Sequence, residues 1–367
     1  MGILQPIWDG TFVYREPVCF SADKDGRPTG GTLLYQPEEI LSVTSFDGSV
    51  FYQPVRDYTA NGRQLVRTEA SRIPYLERSV YCKPFTGVPE TAWVRLSGGK
   101  AYMEVVSDVY RWQTLVTYTH RDKWAGFQPK TCGESLPRSM EKLRAGGDFH
   151  LTLYGDSITA GWEASGCNER AIDMVTLGEY HVSLWHAPYQ PAWAELVTNA
   201  LQARYPQSNV IKTNRAAGGS TVQWGVEHAA ELVPPCKPDL IMLGFGMNSM
   251  QESAEDYRRA ILSIIRTIRK ECHDCEFVLM SPMIPNPEIK GFQNNQLPAQ
   301  QDVLYQIAAE LEGVCIAPVH SVFREMTARG KYYLELTGNC INHPNDFSVR
   351  VYAQTVLRTL GVDGNDG

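Results

Sequence analysis

The stretch LYGDSITAGW, residues 153–162, decides how the second half of this chain is expected to fold. An apolar run over residues 149–154 has the length and composition of a buried strand. It stops at Gly155-Asp156-Ser157, where a glycine allows a sharp turn and a hydroxyl group follows the strand. In open α/β sheets, chemistry gathers outside the carboxyl ends of the strands. Ser157 is therefore a candidate nucleophile.

Three further blocks supply the residue types that a serine nucleophile needs. They are NRAAGGST at residues 214–221, GFGMNS at residues 244–249 and NHPNDF at residues 342–347. The first two directly follow apolar runs that are expected to be strands. Serine is a poor nucleophile unless a base activates it, and imidazole is the most common base in this role, which makes His343 the candidate. Fixed donors must also meet the negative oxygen of the tetrahedral intermediate.

Gly-Asp-Ser, a glycine block, Gly-x-Asn and a late His-Pro, in this order, resemble the SGNH (GDSL-type) hydrolase family. The resemblance covers roughly residues 148–362. It implies Ser157 as the nucleophile and His343 as the base. It also implies three oxyanion donors: the backbone N–H of Ser157, the backbone N–H of Gly219 and the side-chain amide of Asn248. Gly218 is the alternative to Gly219.

The residue that orients the catalytic histidine departs from the family pattern. The family commonly places Asp three residues before the histidine, but Cys340 stands there. A main-chain carbonyl that orients His343 would give a Ser–His dyad, which we favour. Asn339, Asn342 or Asp346 could take the role instead. The alternative for Asp346 is a place at the N-terminus of the last helix, where a carboxylate stabilises the helix dipole.

A long insert follows the nucleophile and precedes the first helix of the α/β part. It runs over residues 163–190 and is rich in aromatic residues. Loops of this length in compact domains tend to be functional, so we expect it to line the acyl or sugar pocket. Trp162, Trp185 and Trp224 are the candidate pocket residues. The alternative is that these aromatic side chains pack the insert against the sheet.

The order of predicted elements divides the chain into two parts. The expected strands and helices alternate downstream at residues 149–154, 191–204, 210–212, 220–233, 239–244, 254–271, 276–283, 297–311, 314–318 and 347–360. This alternation predicts an α/β fold, a parallel sheet with helices on both faces in the SGNH-type three-layer arrangement.

Upstream, the pattern indicates short strands alone, at residues 32–35, 40–44, 50–52, 63–67, 92–96, 102–106 and 114–119. Their spacing predicts an all-β, jelly-roll-like sandwich. Turn-forming residues between positions 131 and 148 mark the junction. We therefore expect a β-sandwich domain over residues 1–140 and a hydrolase domain over residues 148–362.

Composition excludes several classes of partner. The net charge of −7 and the absence of a polybasic run argue against a nucleic-acid partner. No apolar run approaches the roughly 20 residues that span a membrane. The first residues lack a basic and an apolar signal region, which predicts a cytoplasmic protein, with removal of a secretion signal as the alternative. Whether the chain forms a homo-oligomer is left open.

Neither a metal nor a cofactor is expected. The nine cysteines have no regular spacing and suit free thiols. The segment Cys272-His273-Asp274-Cys275 resembles half of a metal site, but no second Cys-x-x-Cys completes it. A Ser–His mechanism itself uses no cofactor.

A strand-rich region before a Gly-Asp-Ser domain resembles two-domain carbohydrate acetylesterases. The resemblance implies a serine esterase that removes small acyl groups, with acetyl expected, from a small-molecule or oligosaccharide ester. The alternatives are a lipid-type esterase, thioesterase or acyltransferase on the same fold, and a non-catalytic saccharide-binding protein.

Overall fold

The computed structural model describes residues 3–23, 25–84, 101–103 and 109–362. In the first part of the chain the elements are β1 (Phe12–Cys19), β2 (Ser21–Ala22), β3 (Pro28–Thr29), β4 (Pro37–Ser45), β5 (Tyr58–Asn61), β6 (Gln64–Arg67), α1 (Arg78–Tyr81), β7 (Cys82–Pro84), β8 (Ala101–Met103) and β9 (Gln113–His120). The second part begins with α2 (Pro137–Ala145), β10 (Gly147–Gly155), β11 (Asn168–Ile172), β12 (Glu179–Ser183), α3 (Trp193–Arg204), β13 (Ser208–Asn214) and α4 (Val222–Leu232). It continues with β14 (Leu240–Gly244), α5 (Ala254–Arg269), β15 (Glu276–Met280), α6 (Leu297–Glu310), β16 (Val314–Ala317), α7 (Val319–Ala328) and α8 (Asp346–Leu360).

Five strands of the second part form one parallel sheet in the order β13-β10-β14-β15-β16. Side chains of β14 alternate between two hydrophobic clusters: Leu240 and Met242 face one, and Ile241 and Leu243 face the other. This alternation follows from the two-residue period of a strand and requires cover on both faces. The predicted α/β three-layer architecture is thereby confirmed.

The helices supply that cover through buried apolar stripes. Helix α5 is capped by Ser253, whose hydroxyl accepts a hydrogen bond from the backbone N–H of Asp256 at 3.1 Å. Its stripe of isoleucines packs with α4 and α6 on one face of the sheet. Helices α3 and α8 contact each other on the opposite face. The helix α7 was not predicted from the sequence.

The first part is rich in antiparallel strands, as expected. Strands β1, β9 and β4 form a three-stranded sheet, and short strand pairs flank it. Strand β1 was not predicted, and of the predicted strands at residues 32–35 and 50–52 only isolated bridges form, at Thr32 and Phe51. The predicted strand at 92–96 and the end of that at 102–106 lie outside the described residues. A jelly-roll topology and the division into two domains stay predictions.

The two parts are joined by a buried charge cluster. The ammonium group of Lys331 lies 3.0 Å from a carboxylate oxygen of Glu16 in β1 and 3.2 Å from one of Glu335, and all three side chains are fully buried. Glu335 also accepts hydrogen bonds from the backbone N–H groups of Cys19 and Gly31. The segment that precedes His343 is thus anchored on the strand-rich region. Within the described ranges no helix is long and apolar enough to cross a membrane.

Candidate active site

Adjacent strands bring three of the predicted blocks to one edge of the sheet. Ser157 follows β10, the glycine block follows β13 and Asn248 follows β14, and β10 lies between the other two strands. A side chain at Gly155 would place its Cβ 2.2 Å from the carbonyl oxygen of Gly244. Only glycine allows the two strand ends to approach this closely. The fourth block, with His343, reaches the same edge from the loop before α8.

Ser157 and His343 form a hydrogen-bonded pair. The serine Oγ lies 2.8 Å from the histidine Nε2, although 186 residues separate them. Both residues are buried. The carboxylate of Asp156 accepts hydrogen bonds from the backbone N–H groups of Ile158 and Thr159, which stabilises the turn that presents Ser157. Burial raises the pKa of Asp156 to about 6.

Each glycine of the block has its own structural requirement. Gly219 adopts a φ of +80°, which disfavours any side chain. A Cβ at Gly218 would lie 2.6 Å from the indole ring of Trp162. Within the described residues, the backbone N–H groups of Ser157 and Gly219 have no intramolecular acceptor. Both can therefore donate to a bound oxygen. The backbone N–H of Gly218 likewise has no acceptor among these bonds, so the choice of Gly219 over Gly218 stays a prediction.

Asn248 is held in place while part of its amide stays available. Its Nδ2 donates to the carbonyl oxygen of Ser220 at 3.0 Å, and the residue is exposed. An amide nitrogen carries two hydrogens, so a second donor remains for a ligand. Its role in an oxyanion hole stays a prediction.

Asn339 organises the loop that carries His343 without reaching the ring. Its Oδ1 accepts hydrogen bonds from the backbone N–H groups of Ile341, Asn342 and His343, at 2.9–3.1 Å. Cys340, which lies between Asn339 and Ile341 in the sequence, is buried and has a φ of +66°. Asn339 thus positions the histidine through its main chain, and none of the described hydrogen bonds joins its side chain to the imidazole.

Asp346 does not contact the imidazole of His343, which corrects the expectation that its carboxylate could orient the ring. Its two carboxylate oxygens accept hydrogen bonds from the backbone N–H and the hydroxyl of Ser165, at 2.9 and 2.7 Å. The cap of α8 is Asn345, whose side chain accepts a hydrogen bond from the backbone N–H of Ser348. The carboxylate of Asp346 is therefore occupied elsewhere.

The Nδ1 atom of His343 is buried and makes no hydrogen bond with any described residue. The dyad that we favoured requires a main-chain carbonyl at this atom, and none of the described residues provides one. The carboxylate oxygen Oε1 of Glu163 lies 3.7 Å away. In the sequence, Glu163 is the first residue of the insert, and no role was predicted for it. The one signal was a carboxylate directly after the nucleophile block, in a stretch of otherwise uncharged residues.

The three candidate pocket tryptophans lie in different environments. Trp162 packs edge-on against His343, with 5.8 Å between the ring centroids. Trp185 is 67% exposed, and its ring lies 5.1 Å from that of Tyr189 in a tilted arrangement. Trp224 is buried, and its indole N–H donates to the carbonyl oxygen of Met174 at 3.1 Å. Trp224 therefore packs the insert against α4, as the core-packing alternative predicted.

The insert is a fixed hairpin of β11 and β12. Lys212 of β13 forms an ion pair with Glu169, and Arg215 forms one with Glu179. A β-bridge joins Ile172 to Ala217 beside the glycine block. The insert therefore forms a wall that is attached to the sheet near the candidate site.

In the part of the chain that the structure describes, no group of three or more His, Cys, Asp or Glu side chains is arranged to hold a metal ion. The pair Cys272 and Cys275 lies at the opposite edge of the sheet, next to the start of β15.

The model of the GDSL-like Lipase/Acylhydrolase family matches residues 153–348, just over half of the chain. The chain belongs to this family. Its members are acyl-ester hydrolases, so the chain is an ester hydrolase by family. No curated protein matches its sequence significantly.

This family member is similar to two solved esterase structures. One is a two-domain esterase (CEX) active on acetylated mannans, crystallised with mannopentaose, at 19% identity and a TM-score of 0.46. That match covers 62% of this chain and 53% of CEX, so the hydrolase spans about half of CEX. The other is Axe2, an acetylxylan esterase from Geobacillus stearothermophilus, at 20% identity, covering 59% of this chain and 96% of Axe2, with a TM-score of 0.46.

Proposed function

We propose that this hydrolase removes small acyl groups, acetyl above all, from a carbohydrate through an acyl-enzyme on Ser157. The observation that carries the proposal is the 2.8 Å contact between Ser157 Oγ and His343 Nε2 at the carboxyl edge of the parallel sheet. A nucleophile within hydrogen-bond reach of a base is the arrangement that covalent acyl transfer requires.

The proposed reaction has two halves. As Ser157 Oγ bonds to the ester carbonyl carbon, its proton passes to His343 Nε2, and the carbonyl oxygen becomes an oxyanion. The N–H groups of Ser157 and Gly219 and the amide of Asn248 donate to that oxyanion. Collapse of the intermediate breaks the bond to the alcohol oxygen, which takes the proton from His343. Water then attacks the acyl carbon and gives a proton to His343. The bond to Ser157 Oγ breaks, this oxygen takes the proton from His343, and the carboxylic acid leaves.

The fixed hairpin favours a small acyl group and a polar alcohol. Lipid-directed esterases are expected to have an apolar, movable cover, whereas this hairpin forms ion pairs from Glu169 to Lys212 of β13 and from Glu179 to Arg215, the residue that follows β13.

Exposed aromatic side chains at the end of the insert favour a sugar. The rings of Trp185 and Tyr189 lie next to each other at a tilt of 44°, with 67% and 50% of their surfaces exposed. Aromatic faces with a polar rim suit the apolar faces of sugar rings and leave their hydroxyl groups in water. These two side chains form a candidate binding platform for the saccharide.

One feature favours the lipid-type esterase as the second candidate. Met174 and Val175 at the hairpin tip are exposed apolar residues, and Met174 Sδ lies 4.0 Å from the position of a Cβ on Gly219. An acyl chain that leaves the oxyanion hole could contact them. Chain-length preference separates the two candidates.

The test is hydrolysis of p-nitrophenyl acetate, butyrate and octanoate by the wild type and by Ser157→Ala. We expect the acetate to be cleaved fastest, with kcat falling by at least about 10⁴-fold in the variant. Release of acetate from acetylated oligosaccharides follows. A preference for octanoate would favour the lipid-type candidate. Equal turnover by the wild type and Ser157→Ala would refute the serine mechanism.

A further inference from the structure

We infer that Glu163 is the positioning carboxylate of His343, in the place that the family's Asp would take. This inference rests on the proposed serine mechanism and adds its third member. Glu163 Oε1 lies 3.7 Å from His343 Nδ1, and Ser157 Oγ lies 2.8 Å from the other ring nitrogen, Nε2. Serine, imidazole and carboxylate therefore stand in the order that acyl transfer uses.

Both groups are withdrawn from water, which makes the pairing matter. The side chains of Glu163 and His343 are 14% and 10% exposed. The Nδ1 of His343 has no other partner in the described residues, and a buried polar nitrogen without a partner is unfavourable. In unliganded enzymes such contacts are often long and tighten when substrate binds.

The backbone at Glu163 adopts a left-handed conformation, which is unfavourable for any residue other than glycine. Its φ is +70°, in the left-handed region. Strain of this kind is retained where the surrounding structure requires it, and it gathers at functional sites. A glycine here would relieve the strain, yet the chain carries a glutamate.

Two contacts hold the Glu163 segment against the His343 loop. Two residues after Glu163, Ser165 donates from its backbone and hydroxyl to Asp346, three residues after His343. At Gly338, a Cβ would lie 2.8 Å from the Cβ of Glu163, so the absence of a side chain there makes room for the glutamate. The Glu163 segment therefore lies against the His343 loop both before and after the histidine in the sequence.

The other carboxylates near the ring are engaged elsewhere. Asp156 accepts from the backbone of the nucleophile turn, and Asp346 accepts from Ser165. Trp162, which packs on the ring, is uncharged. Among the described residues, Glu163 is therefore the carboxylate placed to accept a hydrogen bond from the Nδ1–H group of His343. This hydrogen bond leaves the lone pair of Nε2 directed at Ser157. The carboxylate also stabilises the imidazolium that forms during the reaction.

The experiment compares Glu163→Gln, Glu163→Asp and Glu163→Ala with Glu255→Gln, which removes an exposed carboxylate on α5. For Glu163→Gln we expect kcat to fall by about 10²–10⁴-fold with KM within about two-fold. A nearby carboxylate favours the charged imidazole, so its loss should move the acidic limb of the kcat/KM profile to lower pH. Glu163→Asp should recover part of kcat, and added formate should partly restore Glu163→Ala.

A kcat for Glu163→Gln within two-fold of Glu255→Gln, with an unshifted pH profile, would overturn the inference while Ser157→Ala still loses activity. If Ser157→Ala keeps full turnover, the proposed function fails instead. Glu163 is then decided by an NMR titration of the His343 ring, which should shift to lower pH in Glu163→Gln. An unchanged titration overturns the inference. If Glu163→Gln fails to fold by circular dichroism, the same readings are taken on Glu163→Ala, which also lacks the carboxylate.

Discussion

Asn248 combines anchoring and availability in a single side chain. One amide hydrogen bonds the carbonyl oxygen of Ser220 at 3.0 Å, which fixes the direction of the other. A donor that is already oriented needs no rearrangement when charge develops on the substrate, and this is why such donors contribute strongly to catalysis.

Replacement of Asn248 by Ala should lower kcat for p-nitrophenyl acetate by about 10²–10³-fold, which corresponds to ~3 kcal/mol of transition-state stabilisation. KM should change little, because the oxyanion forms only after binding. Steady-state kinetics check this. The matched control is Asn209→Ala, an exposed asparagine of β13 that donates to Asp148. A fall in kcat below five-fold for Asn248→Ala would argue against an oxyanion role.

At the scale of elements, α7 carries a buried titratable group close to the end of the sheet. The backbone N–H of His320 donates to the hydroxyl of Ser281, and the side chain is buried. Burial, with a further contribution from Arg324, lowers the pKa of His320 to about 4. The unfolded chain therefore binds an extra proton between about pH 4 and 6.5, so His320 favours the folded state above that window and loses this contribution on acidification.

We expect His320→Gln to lose less stability than the wild type between pH 7 and pH 4, by ~2–3 kcal/mol. Urea unfolding at the two pH values measures this. The raised pKa of Asp156 has the opposite effect, because its ionisation with rising pH lowers stability over about pH 4–6. Asp156 is present in both proteins, so it flattens both stability profiles equally. Comparison of the two proteins isolates the histidine. Parallel profiles would show that the imidazole is not held neutral.

At the scale of the whole molecule, the strand-rich region braces the loop that carries His343. The amide of Gln113 in β9 donates to the carbonyl oxygens of Leu334 and Thr337, and Lys331 contacts Glu16 and Glu335. The guanidinium of Arg350, a buried residue of α8, also donates to two carbonyl oxygens of β1. The first part of the chain therefore has a structural role at the site, whatever it binds.

Lys331→Met should lower the free energy of unfolding by ~3–5 kcal/mol, because it leaves two buried carboxylates without their cation. Guanidinium denaturation measures the loss. Lys270→Met, at the exposed end of α5, is the control and should change stability by less than ~0.5 kcal/mol. Neutralising Glu16 and Glu335 to Gln in the Lys331→Met background should recover part of the loss. A loss below ~1 kcal/mol for Lys331→Met would mean that the cluster contributes little.

The sequence by itself determined the parallel sheet and the edge at which chemistry gathers. Apolar runs that end in Gly-Asp-Ser, Gly-Gly and Gly-x-Asn are local patterns, since turns and strand periodicity depend on neighbouring residues. The roles of Ser157, Gly219, Asn248 and His343 were implied by the resemblance of their blocks to the hydrolase family. Strand β1 escaped prediction because its charged residues interrupt the apolar pattern, and one of them, Glu16, is buried against Lys331.

Only the tertiary structure decided which carboxylate faces His343 and which tryptophan lies beside it. Glu163 and His343 are 180 residues apart, and their contact depends on how the insert and the His343 loop dock on each other. Asp346, much nearer in sequence, is turned to Ser165 by the same docking. Trp162 and Trp224 are equally apolar in sequence, yet one packs on the imidazole and the other on the insert. Long-range packing is invisible to local patterns because it is set by surfaces that form only once the elements are in place.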